Sequence, residues 1–409
     1  MGMINAVAII GFLIMLAMYF PISGYLRNRM AVVEQSGAAV RARNNQKRKN
    51  VARSKGSRNQ TQVNLDNPQD RMIGLTVFVA VMVVAFLLRV IIGGVYHGHE
   101  QDMSCFIAWA DMVYNDGFHK FYTTMTEGYP PGYIYILYVI GWLRHIFSIP
   151  WNSAMSDILT KMPNILTDLG MGYLIYKVAS EKFRETGAAL LSAVYLFCPA
   201  IILDSVVWGQ TDSIYVVFLA WMFYLIAKKK LIPSYFLFAL AILLKPQAMM
   251  FAPVLLYGII DHVFLEDFNW KKFGINLGMG LVAILCMVIA VLPYGLQKVI
   301  SLYTNTVGSF EYASVNAYNF WTLVGKNWIS QGDRGFGLSY QTWGTIFILL
   351  IVIATAFVNF RCKKTEAKYT YIGGMLIIGI FMFSVRMHER YMYPAMAFML
   401  LAYVMKPRR

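Results

Sequence analysis

Residues 72–92 read MIGLTVFVAVMVVAFLLRVII, an apolar run with a single charged residue, Arg89. A helix rises about 1.5 Å per residue, so this run is long enough to cross the roughly 30 Å hydrocarbon core of a bilayer. Of all residues, 58% are hydrophobic and 14% charged, whereas an ordinary soluble domain has about 25% charged residues. The composition excludes a soluble protein of this size and predicts an all-α, polytopic helical membrane protein.

Similar apolar runs recur from end to end of the chain and are interpreted as further transmembrane helices. Together with residues 72–92 they predict about eleven spans. The other predicted spans are Ile4–Ile22, Ile158–Lys177, Thr186–Asp204, Ser213–Ala227, Leu231–Leu244, Ala248–Ile260, Gly274–Leu292, Thr342–Phe360, Tyr369–Ser384 and Tyr391–Val404.

Residues 1–25 are predicted to form a membrane anchor with its N-terminus outside. They lack a basic N-terminal region and a small-residue cleavage site, and Arg27 and Arg29 follow at once. Residues 26–71 contain 11 basic and three acidic residues among Asn, Gln and Ser, which predicts a disordered cytoplasmic arm. We interpret the arm as a topogenic linker; contact with anionic lipid headgroups is the alternative, and no nucleic-acid partner is expected.

The basic loops predict the orientation. Residues 133–149 form an apolar stretch that follows Pro130 and Pro131. If this stretch is an interfacial or re-entrant helix on the outer face, 15 basic residues of four later loops and the C-terminus lie on the cytoplasmic side with the arm. If it crosses the membrane, the same residues face outward. The positive-inside rule favours the interfacial helix. Residues 72–405 are then one membrane unit, followed by a cytoplasmic tail at 406–409.

Polar residues gather on the predicted outer side. Its two long loops are residues 94–157 and 296–341, and residues 96–133 alone contain five acidic residues and three of the six histidines. Three shorter polar stretches, 208–212, 245–247 and 386–390, lie at predicted outer helix ends. Ionisable groups at membrane depth are costly and usually mark a site or pathway. We therefore predict one outward-facing polar cavity.

Six motifs in this order resemble the C-type (GT-C) glycosyltransferases. The pattern is similar to mannosyltransferases related to the enzymes of GPI-anchor assembly and, more distantly, to protein O-mannosyltransferases, and it covers about residues 72–405. The motifs are Asp102 with Phe106 and Trp109-Ala110, Gly117 with Phe121-Tyr122, Tyr-Pro-Pro-Gly-Tyr at 129–133, Trp-Gly-Gln-Thr-Asp at 208–212, Leu-Lys-Pro-Gln at 244–247 and His-Glu-Arg-Tyr at 388–391.

The resemblance implies an inverting transfer of one hexose, with mannose favoured, from a polyprenyl-phosphate donor. The acceptor would be a hydroxyl of a cell-envelope glycan, glycolipid or protein on the extracytoplasmic face of a bacterial plasma membrane. Asp102 matches the family's catalytic aspartate, and a carboxylate can take the proton of an attacking hydroxyl. The leaving phosphate needs positive donors rather than a second acid. The candidate phosphate ligands are Lys245, Arg390, His388 and Arg386.

A further set of residues is expected to contact the sugar or the acceptor. Asp212 matches a recurrent acidic position of the superfamily, although a helix cap is nearly as good an explanation. Glu389 either pairs with Arg390 or orients the sugar. Residues 310–323 offer aromatic rings and amides of the kind that sugars contact. The predicted contacts are Asp212, Gln210, Glu389, Tyr129, Trp109, Asn319 and Trp321.

No cofactor and no metal are predicted. His97, His99 and Asp102 are the alternative as ligands of a divalent cation, but their spacing fits no strong zinc pattern. The resemblance also implies a lipid-monophosphate donor, and enzymes that use such donors are generally metal-independent.

A transporter or flippase for a lipid-linked or small polar substrate is the rival class, because many-spanning proteins with polar midplane groups are often carriers. Asp168 and Pro163 within a predicted span favour it, although the element from Lys161 to Asp168 also occurs in the enzyme family. A third interpretation is a protein that tethers lipid or nucleic acid through its arm. Most polar groups lie at helix ends rather than at mid-span, which favours the enzyme.

Overall fold

The computed structural model describes residues 68–124, 129–266, 268–306, 311–335, 337–361 and 365–406. The predicted anchor, residues 26–67 of the predicted arm and the last three residues lie outside these ranges. The described residues are predominantly helical, which confirms the all-α class. Their α-helices are α1 (Pro68–Val95), α2 (Glu100–Thr124), α3 (Pro131–Ile146), α4 (Ala154–Ala179), α5 (Glu185–Leu196), α6 (Pro199–Ile202), α7 (Asp212–Ala227), α8 (Leu231–Leu244), α9 (Ala252–Ile259), α10 (Trp270–Val291), α11 (Leu296–Thr306), α12 (Phe320–Leu323), α13 (Tyr340–Arg361), α14 (Lys368–Phe383) and α15 (Tyr393–Met405).

Short irregular helices and four two-residue strands complete the described chain. A π-helix, Leu203–Trp208, continues α6, and a second, Ile260–Leu265, extends α9. Strand β1 (Ser314–Val315) pairs in parallel with β4 (Met387–His388), and β2 (Arg334–Gly335) pairs antiparallel with β3 (Leu338–Ser339). The 3-10 helices are Pro246–Phe251, Leu292–Tyr294 and Glu389–Met392.

Several helices are long and apolar enough to cross a bilayer, which confirms a polytopic membrane protein. Within the described residues these are Pro68–Val95, Pro246–Leu265, Trp270–Tyr294 and Tyr340–Arg361. Helices Glu185–Leu196 and Pro199–Trp208, bent by 49°, add a fifth if they form one broken span. Helices α7, α8 and α14 are apolar but shorter. The total of about eleven spans stays a prediction.

The lipid-facing helices are recognisable by their exposed apolar side chains. In α10, Leu277, Leu281 and Ile284 are each more than half exposed to the surroundings. A water-soluble protein rarely leaves a contiguous apolar surface of this kind uncovered. In a bilayer the same surface contacts lipid tails, and the helix satisfies all of its own backbone hydrogen bonds.

Basic loops meet at one end of the bundle, here named the basic end and defined by Lys182, Lys228 and Lys368. Ion pairs there join loops that are far apart in sequence, and Lys182 also donates to the carbonyl oxygen of Met405 near the C-terminus. Arg71, at the start of α1, lies at the same end. The pairs are Lys228–Glu181 at 3.0 Å, Lys228–Glu366 at 2.7 Å, Lys182–Glu366 at 3.0 Å, Lys229–Glu266 at 2.9 Å, Lys368–Asp261 at 2.6 Å and Arg71–Glu185 at 3.4 Å.

Helices α2 and α3 form a hairpin that starts and finishes at the opposite end. The end of α1 meets the start of α4 there: Lys161 donates to the carbonyl oxygens of Gly93, at 3.2 Å, and of Tyr96. His97 lies 2.8 Å from Asp157 of α4. Between the end of α1 and the start of α4 the chain therefore leaves from and returns to the same end of the bundle.

A buried network joins five helical segments. Arg89 of α1 and Asp168 of α4 form an ion pair at 3.0 Å, and both side chains are fully buried. Arg89 Nη2 also donates to the carbonyl oxygen of Leu196 at 2.8 Å. Asp168 accepts from Ser205 Oγ of the π-helix at 2.7 Å and from Tyr393 OH of α15 at 2.9 Å. Each charge therefore has several protein partners.

The polar residues of α4 are thus occupied by structural contacts. Lys161 satisfies carbonyl groups at the C-terminal end of α1, which have no partner within that helix. The charge of Asp168 is balanced by Arg89, and its two oxygens also accept hydrogen bonds from two hydroxyl groups. These contacts give Asp168 a structural role, which weakens one of the two sequence observations that favoured a carrier, Asp168 and Pro163.

We predict that Asp168→Ala lowers the free energy of unfolding by about 3–5 kcal/mol, because it leaves the Arg89 charge buried without its counter-ion. Asp70→Ala, which removes an exposed acid near the start of α1, is the control and should change stability little. Thermal unfolding in detergent measures both. The double variant Arg89→Met with Asp168→Leu should recover much of the loss; a single variant no worse than the control would contradict the prediction.

Candidate active site

Asp102 lies in the first turn of α2, among hydrogen-bond donors. Its Oδ2 accepts from Trp208 Nε1 at 3.1 Å and from Gln210 Nε2 at 2.5 Å. His99 Nδ1 lies 3.1 Å from the same oxygen. These contacts orient the carboxylate, and the side chain remains 29% exposed. An oriented, partly exposed carboxylate is suited to take a proton from a bound hydroxyl.

Two glycines bring Asp102 to these donors. Gly209, which follows the π-helix, has a φ of 88°, in the left-handed region that favours glycine. Gly98, just before α2, has a φ of 108°, and a Cβ there would lie 2.5 Å from the carbonyl oxygen of Trp208. The close approach lets the backbone N–H of His99 donate to that oxygen at 2.8 Å. The His99 ring then stacks on Trp208 with centroids 5.2 Å apart.

Asp212 and Lys245 bind each other. Lys245 Nζ lies 2.7 Å from Asp212 Oδ1, and both side chains are buried. Asp212 is the first residue of α7 and Lys245 directly follows α8, so the pair locks two helix ends together. The Lys245 charge already has a counter-ion, which makes Lys245 a weaker candidate for direct phosphate contact than the sequence predicts.

Arg390, by contrast, retains unused hydrogen-bonding capacity. Its Nε is buried and has no partner within the described residues, and the same holds for Glu389 Oε2, Gln247 Oε1 and Asp212 Oδ2. Gln247 Nε2 donates to Tyr391 OH at 3.3 Å, which brings it beside this segment. Buried polar atoms are nearly always hydrogen-bonded. This concentration of unsatisfied donors and acceptors indicates a site that a polar ligand completes.

Two residues near Arg390 were missed by the sequence predictions of site contacts. One is Gln247, whose signal was its place in the Leu-Lys-Pro-Gln motif. The other is Asp204 of the π-helix, whose Oδ2 is also buried without a partner in the described chain. Asp212, Lys245 and Arg390 are the charged groups that act on it most strongly. The sequence feature that could have identified Asp204 is its position as an acidic residue at the end of an apolar run.

His388 is held close to these charges by strand β4. Burial, together with the positive charges of Arg390 and Lys245, lowers the pKa of His388 from 6.5 to about 4. The imidazole is therefore neutral near pH 7. His388 can offer a phosphate a hydrogen bond but not the cation that the sequence predicts.

Aromatic side chains of the first outer loop form one wall beside the turn at 208–212. Tyr129 OH lies 2.6 Å from Thr211 Oγ1, so the Tyr-Pro-Pro-Gly-Tyr motif contacts this turn directly. Trp109 lies 5.9 Å from the Tyr129 ring and 6.2 Å from Phe121, between centroids. The wall therefore includes Tyr129 and Trp109, two of the three aromatic residues that were predicted to contact the sugar or acceptor.

Three predicted site residues serve instead to hold the second outer loop. Trp321 is only 1% exposed, and its Nε1 donates to the carbonyl oxygen of Phe383 at 3.0 Å. Asn319 caps α12 and donates to the carbonyl oxygen of Phe381 at 3.1 Å. Arg386 Nε donates to Gln331 Oε1 at 2.6 Å. Asn319 and Trp321 are thus engaged in packing the loop in this structure, and their contact with a sugar stays a prediction.

The alternative metal ligands do not converge. His97 pairs with Asp157 at 2.8 Å, whereas His99 lies beside Asp102. Among the described residues, no group of three or more His, Cys, Asp or Glu side chains is arranged to hold a metal ion.

These observations define a class: a multi-span helical membrane protein with a cluster of acids, a buried arginine and aromatic rings at one end of its bundle. The sequence profile of the family described as dolichyl-phosphate-mannose-protein mannosyltransferase matches residues 138–294. This is less than half of the chain; it includes the turn at 208–212, Lys245 and Gln247, but neither Asp102 nor Arg390. A search of curated proteins finds no match. The profile supports a glycosyltransferase of the mannosyltransferase kind.

We predict that His388 makes the protein less stable in acid. Between pH 6.5 and about 4 the unfolded chain protonates this histidine while the folded protein does not, so the free energy of unfolding falls as the pH is lowered through this range. His388→Gln should flatten that dependence, whereas His119→Gln, at an exposed position, should not. Chemical unfolding in detergent at several pH values in this range measures the free energy of unfolding. If it changes with pH equally steeply in the wild type and in His388→Gln, the prediction is contradicted.

Proposed function

We propose that the protein is an inverting glycosyltransferase that moves one hexose from a polyprenyl-phosphate donor to an acceptor hydroxyl. The observation that carries this proposal is the cluster of unsatisfied buried polar atoms around Arg390, within electrostatic reach of Asp102 and Asp212. A phosphate oxygen would satisfy Arg390, and sugar hydroxyls would satisfy the neighbouring carbonyl and carboxylate oxygens. The matching profile favours mannose as the sugar.

The proposed chemistry needs one base and one stabilised leaving group. The acceptor oxygen attacks the anomeric carbon and forms the new glycosidic bond while its proton passes to Asp102. The bond from the anomeric carbon to the phosphate oxygen breaks, and its electron pair stays on the polyprenyl phosphate. Arg390 stabilises the charge that grows there, and the neutral His388 adds a hydrogen-bond donor. Attack opposite the leaving group inverts the anomeric configuration.

The buried pair of Asp212 and Lys245 has a positioning role in this scheme. It fixes the starts of α7 and of the 3-10 helix Pro246–Phe251 that carries Gln247. Lys245 also adds positive potential to the site from within the pair. Removal of either member would disturb the site and leave a buried charge alone.

The proposed site faces the extracytoplasmic side. The basic end holds the paired loops around Lys182, Lys228 and Lys368, which the positive-inside rule assigns to the cytoplasm. Helix α7 begins at Asp212 and ends just before Lys228, which separates the two by about 24 Å along the helix axis. The site at the start of α7 is then on the outer face, where an acceptor of the cell envelope would reach it.

We predict that Asp102→Asn lowers turnover at least about 100-fold, because the amide cannot accept the proton. Donor affinity and expression should stay close to wild type, since the amide preserves the size of the side chain. Asp116→Asn, an exposed acid on the same helix, is the matched control and should retain activity. Release of polyprenyl phosphate from polyprenyl-phosphate mannose, glucose and galactose measures turnover; an Asp102→Asn variant with near-normal turnover would refute the base assignment.

We predict that Arg390→Ala weakens binding of the lipid phosphate by about 10–100-fold, the loss expected for a charge-assisted contact. Acceptor binding should change less. Arg334→Ala removes an exposed arginine of the second outer loop and serves as the control. Binding of polyprenyl phosphate to the purified protein measures this directly. Equal losses for lipid phosphate and acceptor would move Arg390 to a structural role.

A further inference from the structure

The second outer loop presents an exposed aromatic corner away from its buried anchor. Tyr312 is 38% and Trp328 is 51% exposed, and their rings meet nearly at right angles, at 69°, with centroids 5.1 Å apart. Trp328 Nε1 donates to Asn316 Oδ1 at 2.9 Å. The indole N–H is thus used within the protein, and the ring is held in a fixed orientation.

Two amides hold this corner from behind. The backbone N–H of Asn316 donates to Asn327 Oδ1 at 2.8 Å, and Asn327 Nδ2 donates to Asn316 Oδ1 at 3.2 Å. The backbone of Trp328 is tied in as well, because its N–H donates to the carbonyl oxygen of Ser314 at 2.9 Å. A reciprocal amide pair of this kind makes a rigid, polar edge beside the rings.

The corner is also strained. Asn316 has a φ of 53° and Trp328 a φ of 59°. The left-handed region is tolerated by asparagine but is unfavourable for a bulky residue such as tryptophan. Strain of this kind persists where surrounding contacts enforce it, and it gathers at binding sites. Trp328 keeps this backbone conformation although its ring is half exposed.

Strand pairing connects the corner to the proposed reaction centre. Val315 of β1 pairs with His388 of β4, and Asn316 forms a further bridge to His388. Partners across a β-ladder have Cα atoms about 5 Å apart. Glu389 and Arg390 follow His388 directly. The strand that carries Asn316 is therefore paired directly with the segment that leads into Arg390.

We propose that Tyr312, Asn316, Asn327 and Trp328 form a glycan subsite that binds a pyranose ring of the acceptor. This inference rests on the proposed function and deepens it: the accepting hydroxyl belongs to a molecule that already carries sugar. A pyranose has an apolar C–H face that fits an aromatic ring and a hydroxyl rim that hydrogen-bonds to amides. A rigid Trp and Tyr give large contact area at low entropic cost.

The arrangement fits a glycan better than a membrane anchor. Tryptophan and tyrosine do gather at bilayer interfaces, but an anchor requires no strained backbone and no pair of amides beside the ring. Trp270, at the start of α10, shows the contrast: it is 76% exposed and is packed among phenylalanine rings at the basic end. It therefore provides a matched control.

The test measures binding of mannose, glucose and galactose oligosaccharides, of one to four residues, to the purified full chain without donor. Oligosaccharide binding should weaken by about tenfold in Trp328→Ala and should largely persist in Trp328→Phe, which keeps an aromatic ring. Trp270→Ala should leave it unchanged. In transfer assays, Trp328→Ala should raise the acceptor KM and leave the donor KM nearly constant.

Two results distinguish the failure of the subsite from the failure of the proposed transfer. If Trp328→Ala and Trp270→Ala bind every oligosaccharide equally well while the wild type still releases polyprenyl phosphate, the glycan subsite is refuted and the transferase stands. If oligosaccharides bind in a Trp328-dependent way but no donor releases polyprenyl phosphate, the corner is a glycan-binding site, and both the proposed transfer and the role of the corner as an acceptor subsite are refuted.

Discussion

Arg89 and Asp168 form a fully buried ion pair in the middle of the helical bundle, and the position of the site depends on it. Each charge would be prohibitively costly alone in this environment. The pair is tolerable because Leu196, Ser205 and Tyr393 supply the remaining hydrogen bonds. Ser205 belongs to the π-helix that ends at Trp208, so the network fixes the depth and rotation of the segment that leads into the turn at 208–212. That turn holds Asp102.

A clear division of polar groups follows from this arrangement. Arg89, Lys161 and Asp168 are paired within the protein, and Asp212 and Lys245 neutralise each other. Arg390 Nε and its neighbouring acceptors keep buried atoms with no partner in the described chain. The partnered network of Arg89 and Asp168 holds the helices together. The unpartnered atoms beside Arg390, which include Asp212 Oδ2, are the ones we assign to a ligand. The two tryptophans of the second outer loop differ in exposure instead: Trp321 is covered and anchors the loop, whereas Trp328 is half exposed, and the indole N–H of each is hydrogen-bonded within the protein.

The sequence predicts the helical class and the gathering of polar motifs well, because length, apolarity and motif order are local properties. The grouping of Asp102 with Gln210, and of Lys245 with Asp212, also follows the predicted helix ends. Which side chains of these polar motifs contact one another could not be predicted. The ion pair of Asp212 and Lys245, the neutral state of His388 and the burial of Asn319 and Trp321 all depend on which atoms face one another. Those relations are set by packing between segments far apart in sequence.

The stereochemistry of the transfer distinguishes one displacement from two. In the proposed reaction a single base, Asp102, and a stabilised phosphate leaving group carry out one displacement at the anomeric carbon. With a polyprenyl-phosphate hexose of known anomeric configuration, nuclear magnetic resonance of the glycosylated product gives the configuration of the new bond. A single displacement by the acceptor hydroxyl inverts the anomeric configuration, and we expect inversion. A product that retains the donor configuration would require a second nucleophile and would contradict it.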